Sequence, residues 1–142
     1  MIDFKTLKAG ADGLVPAIVQ DRNTLQVLML GYMNAEALEK TQTSGLVTFF
    51  SRSRQTLWTK GETSGNFLHL VSIAVDCDSD TLLVRAIPDG PVGHKVTNTC
   101  WGDAVPTSLV FIRELESVIK GRHEQMPEKS YTTSLFKAGT PR

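Results

Sequence analysis

From Leu14 to Ile87 the chain repeats one pattern: a short run rich in Val, Ile, Leu and Phe, ended by turn-forming residues before it reaches helical length. The runs LVPAIVQ (14–20), LQVLML (25–30), LVTFFS (46–51), FLHLVSIA (67–74) and TLLVRAI (81–87) are the predicted strands. One helix interrupts them. Asn34 is suited to an N-cap, Ala35 to Thr41 holds strong helix formers with Glu36 in the first turn, and Gly45 can end it. These signals predict a mostly β, β-rich α+β fold with a capping helix.

Beyond Asp103 the period changes. Leu109, Ile112, Leu115, Val118 and Ile119 recur at helical spacing with Glu114, Glu116 and Lys120 between them, so an amphipathic helix is expected from Thr107 to about Arg122. The segment from Glu124 to Arg142 has two prolines and a Ser-Tyr-Thr-Thr-Ser run and reads as loop or marginal structure. At 142 residues the chain is long enough for one main domain with a real core and too short for two complete ones.

Lys plus Arg and Asp plus Glu number 15 each, so the chain as a whole offers no field for nucleic acid or an anionic membrane, and phosphate recognition has to be local. No apolar run reaches membrane-spanning length, and MIDFKTLKAG lacks a secretory pattern, which gives a cytoplasmic expectation. Cys77 and Cys100 are too few for a disulfide framework and are expected as free thiols.

Three segments could carry chemistry. In Asp76-Cys77-Asp78-Ser79-Asp80, an extended backbone would put Asp76, Asp78 and Asp80 on one face and Cys77 on the other. Clustered carboxylates suit a hard cation such as Mg²⁺ and a thiolate suits zinc; the plainer reading is a solvated acidic turn. The stretch from Ser51 to Asn66 is dense in donors: Arg52, Arg54 and Lys60 could grip phosphate, with Ser64 and other hydroxyls beside them. Its plainer reading is a polar hairpin with Trp58 packed on the core. Between Gly90 and Trp101, His94 and Cys100 could be ligands or an acid/base pair, or simply structural.

Taken in order, GLVPAIVQD, VLMLGYMNAEAL, VTFFSRSRQTLWTKGETSGN, DCDSDTLLV and GPVGHKVTNTCWGD resemble the successive motifs of the phosphoribosyl-AMP cyclohydrolase family, from about Asp12 to Asp103. The resemblance implies a pseudo-barrel homodimer whose zinc site is assembled from both subunits. It places Mg²⁺ at Asp76, Asp78 and Asp80, and Zn²⁺ at Cys77 and Cys100. The segment after Thr107 looks like the start of a phosphoribosyl-ATP pyrophosphohydrolase domain, ending before that domain's acidic metal-binding helices. The division expected is therefore 1–105 for the cyclohydrolase domain and 106–142 for a linker and incomplete second domain, without pyrophosphohydrolase activity.

What the resemblance implies chemically is hydrolytic opening of the N1–C6 bond of 1-(5-phosphoribosyl)-AMP by metal-activated water. His94 is the expected acid/base, assisted by Lys60 or Glu62. Arg52 and Arg54 are expected at phosphate, with Trp58 and Ser64 also in the substrate site. One position departs from the family pattern. Gly93 precedes His94 where the family has Cys, and Val96 stands where Gly is usual. This supports an alternative: an impaired cyclohydrolase-like nucleotide-binding or dimerisation domain, distinguished by metal analysis. A cation-dependent phosphohydrolase using the three aspartates is a further rival, distinguished by phosphate release.

Overall fold

The computed structural model describes residues 1–93, 97–102, 107–127 and 130–138. They fall into two compact units, Met1–Ala104 and Val105–Arg142.

The first unit is built on a four-stranded mixed sheet. Its strands are β1 (Val15–Asp21), β2 (Val27–Met33), β5 (Leu68–Val75) and β6 (Leu82–Pro88), in the order β2-β1-β6-β5. β1 is antiparallel to β2 and parallel to β6, and β6 is antiparallel to β5. Side chains alternate across the two faces: Val15, Ala17, Val19, Leu82, Val84 and Ala86 are buried on one side. Proline can sit in the inner strand β1 because the ladder to β6 begins only at Ala17, so Pro16 owes no amide to that neighbour.

β3 (Thr48–Ser51) and β4 (Thr56–Thr59) form a separate two-stranded hairpin. β4 lies inside the stretch that reads in sequence as one polar, donor-rich loop. Helix α1 (Ala35–Ser44) caps the unit as expected: the Asn34 side chain accepts from the Ala37 N–H, and Gly45 takes a left-handed conformation at φ 73°. Buried hydroxyls join α1 to the hairpin. Thr41 Oγ1 donates to the Thr48 carbonyl at 3.1 Å and accepts the Thr48 N–H at 2.9 Å, while the Thr48 and Thr59 hydroxyls meet at 3.0 Å. The mostly β, α+β class read from the sequence is what the chain adopts.

The acidic segment is the turn between β5 and β6, the plainer of the two readings: Ser79 takes a positive φ of 67° and the Asp76 carboxylate accepts the Asp80 and Thr81 N–H groups at 3.0 Å each. In the second unit α2 (Thr107–Gln125) matches the predicted amphipathic helix, and the following segment, expected as loop or marginal structure, holds the eight-residue helix α3 (Tyr131–Ala138). Buried Ser130 starts α3, accepting from the Thr133 N–H and from Arg122 Nη1 at 2.7 Å, and His123 meets Phe136 edge-on at 4.8 Å between ring centroids. No helix of the described residues is long and apolar enough to cross a membrane.

Candidate active site

The hairpin builds the site. Phe49 pairs with Trp58 and their rings stack at 5.6 Å, with Phe49 fully buried and Trp58 partly so. Gly31 on β2 makes this possible: a Cβ there would stand 2.5 Å from Phe49 Cε1. At the hairpin tip, Ser51 Oγ accepts from the Arg54 backbone N–H at 3.3 Å and from Arg54 Nε at 3.4 Å, and Gln55 Nε2 donates to the Arg52 carbonyl at 2.6 Å. The backbone carrying both arginines is thus held by its own side chains.

Behind this tip lies a cavity of about 590 Å³. Arg52, Arg54, Lys60, Trp58 and Ser64, all expected in the site, line it together, and among the described residues no carboxylate does. Gly31, Tyr32, Phe49 and Phe50 add apolar walls that sequence reading missed. Their one sequence signal was a glycine inside the β2 run, which often marks a close approach. Aromatic faces beside clustered cations make a site for a planar, anionic ligand.

Lys60 is the buried cation of the set, at 6% exposure, with Nζ 6.0 Å from the Trp58 ring centroid. Its charge also reaches Cys100. Burial pushes the Cys100 thiol above its ordinary pKa of 9.0, and the Lys60 charge pulls against that. The Cys100 N–H donates to the Leu28 carbonyl at 2.8 Å, which fixes this segment along the edge of β2. Glu62, in contrast, is outside the cavity lining, and its Oε2 accepts the Thr59 N–H at 3.1 Å. His94 lies outside the described residues.

Asp76, Asp78 and Asp80 offer carboxylate oxygens within 4.8 Å of one another, the one such ligand group among the described residues. Desolvation pushes the Asp76 pKa up, but hydrogen bonds from the Thr81 and Asp80 amides outweigh it and hold the carboxyl below its ordinary range. The trio fits a hard cation in charge and donor type. Cys77 and Cys100 are free thiols and suit zinc in kind, but Cys77 is in the β5–β6 turn and Cys100 is bonded to β2, and among the described residues neither belongs to a group of three His, Cys or carboxylates. At Gly93, the space a side chain would occupy is filled by the Thr97 hydroxyl and, at 2.6 Å, by the Thr99 carbonyl.

Residues 29–102 match the phosphoribosyl-AMP cyclohydrolase family. The chain belongs to that family. The matched stretch contains every described residue of the cavity lining, the acidic turn and both cysteines. The chain is also similar to the histidine biosynthesis bifunctional protein HisIE of several bacteria. It is 59% identical to that of Bacteroides thetaiotaomicron over 128 residues, 90% of this chain and 63% of the relative. To that of Vibrio parahaemolyticus it is 58% identical over 133 residues, 92% of this chain and 63% of the relative. To that of Escherichia coli K12 it is 59% identical over 131 residues, 92% and 64% respectively. The chain thus spans just under two thirds of the length of these relatives.

Proposed function

We propose that the chain opens the adenine ring of 1-(5-phosphoribosyl)-AMP at the N1–C6 bond, a step of histidine biosynthesis. The observation that carries this reading is the cavity, in which three cations and four aromatic rings converge inside the stretch that matches the cyclohydrolase family. Phosphoribose on N1 leaves the ring electron-poor, so hydroxide adds to C6. The electron pair of the breaking bond then goes to N1, which takes up a proton.

Arg52 and Arg54 anchor phosphate through charge-assisted hydrogen bonds. Trp58 offers a face to the base, and Ser64 a hydroxyl. Lys60, held against Trp58, stabilises negative charge as it develops on the ring. His94 is the candidate for the proton transfer, assisted by Lys60 or by Glu62, whose Oε2 accepts the Thr59 N–H.

Asp76, Asp78 and Asp80 would hold Mg²⁺. Cys77 and Cys100 would hold Zn²⁺ in a site completed by a second copy, since one chain supplies two of the three protein ligands usual for catalytic zinc. Zinc bound there supplies hydroxide near neutral pH by acidifying its water. A homodimer also has a surface to form on: Val27, Leu30 and Ile87, each 41–45% exposed, lie on the open side of the sheet.

The test follows ring opening in the purified chain by ultraviolet absorbance, before and after chelation and after restoring Zn²⁺ and Mg²⁺. Turnover that chelation removes and metal restores is the expected result. Gly93 favours one second reading, an impaired nucleotide-binding or dimerisation domain, because no thiol stands there and the site of its Cβ is already filled. Nucleotide binding with no zinc and no turnover would establish that reading instead.

A further inference from the structure

Arg52 and Arg54 share one hairpin tip but are held in different ways. Arg54 directs its Nε to Ser51 Oγ at 3.4 Å. Arg52 has a different anchor: its Cζ stands 4.0 Å from the centroid of the Tyr32 ring. No hydrogen bond from its guanidinium to another described residue accompanies that contact. Tyr32 comes from β2, twenty residues earlier in the chain, and lines the same cavity.

A guanidinium over an aromatic face is attracted through its flat side. Its N–H donors lie in its own plane and stay available for a carboxylate or phosphate. An exposed arginine without such a support loses much rotamer freedom when it binds an anion. Tyr32 removes part of that loss in advance while consuming none of the donors. The contact uses the ring face, so the phenolic hydroxyl is dispensable to it.

Resting on the reading of the cavity as the nucleotide site, we propose that Tyr32 is a positioning residue that holds Arg52 open toward the cavity for a phosphate. Its effect is on binding and not on the ring-opening step. Tyr32 makes no contact with the reacting ring in this account; it acts through Arg52.

The experiment is calorimetric titration with AMP of the wild-type chain, Tyr32→Phe, Tyr32→Leu, Arg52→Ala and the Tyr32→Leu/Arg52→Ala double variant. Tyr32→Phe should bind within about twofold of wild type, and Tyr32→Leu about three- to fivefold more weakly, the size of a cation–π contact at an accessible site. In the Arg52→Ala background Tyr32→Leu should add nothing, which separates positioning from a folding defect, since a folding defect would persist there. In turnover, Tyr32→Leu should raise KM and leave kcat unchanged. No AMP binding by the wild-type chain, equal losses in Tyr32→Phe and Tyr32→Leu, or the full loss persisting without Arg52 would each overturn the proposal. Ring opening in the wild-type chain is measured in parallel: AMP binding with the expected pattern but no ring opening would sink the proposed reaction and leave Tyr32's role standing.

Discussion

Lys60 carries its charge almost out of solvent, between the Trp58 ring and the Cys100 thiol, and its removal should be felt at both. Burial holds the Cys100 pKa above 9.0 and the lysine charge opposes that, so Lys60→Met should raise the pKa further. In a Cys77→Ser background, alkylation of Cys100 at a fixed pH near 8 should therefore slow, because less thiolate is present. An unchanged rate would mean that the lysine charge does not reach the sulfur. Gly31 is a second telling residue. A methyl group there collides with the Phe49 ring, so Gly31→Ala should cost about 1–3 kcal/mol by overpacking and shift the cavity wall. Thermal unfolding reads the first effect and KM the second; a variant as stable as wild type would show that Phe49 can move aside. Single residues were legible in the sequence where their chemistry was local. Arg52, Arg54, Trp58, Lys60 and Ser64 all sit in one hairpin and its following turn, whereas Gly31 and Tyr32 reach the cavity only because β2 packs beside β3.

Among the elements, α1 was readable because its signals are its own: the Asn34 cap and the left-handed Gly45 need no distant partner. The acidic segment was open between an extended face and a solvated turn, because nothing local announced that the Asp76 carboxylate would gather the Asp80 and Thr81 amides. The Asp76 pKa is depressed in the folded chain, so its contribution is fully present above the ordinary value of 3.8 and is lost as pH falls through the depressed one. The Thr81 amide should accordingly stay protected from exchange at pH 5–8 and lose protection in acid below 3.8. Protection that instead fell between pH 5 and 7 would contradict this assignment. Helix α3 was hidden for another reason. Its start depends on Arg122 meeting Ser130, and its side depends on His123 meeting Phe136, both contacts with the preceding helix. Ser130→Ala should cost about 0.5–2 kcal/mol, the worth of an N-cap, and raise amide exchange across Tyr131–Ala138. Unaltered exchange there would assign the helix start to other contacts.

For the molecule as a whole, the sheet, α1 and the hairpin form one frame in which each part serves the cavity. The buried Thr41, Thr48 and Thr59 hydroxyls tie helix to hairpin, Phe49 fixes the hairpin on β2, and the tip then presents its cations to a space walled by aromatic rings. The strand pattern in the sequence was enough for the fold class, since alternating burial is a local property. It could not reveal which strands would be neighbours, and the β1–β6 parallel pairing joins residues more than sixty positions apart. The claim that this cavity is where a phosphorylated nucleotide binds and is opened is tested most directly by steady-state ring opening of phosphoribosyl-AMP in the wild-type chain and in an Arg52→Ala/Arg54→Ala variant. Two charge-assisted contacts are lost, so KM should rise at least about tenfold with the melting temperature held within a few degrees. An unchanged KM in a folded, active double variant would place the substrate elsewhere.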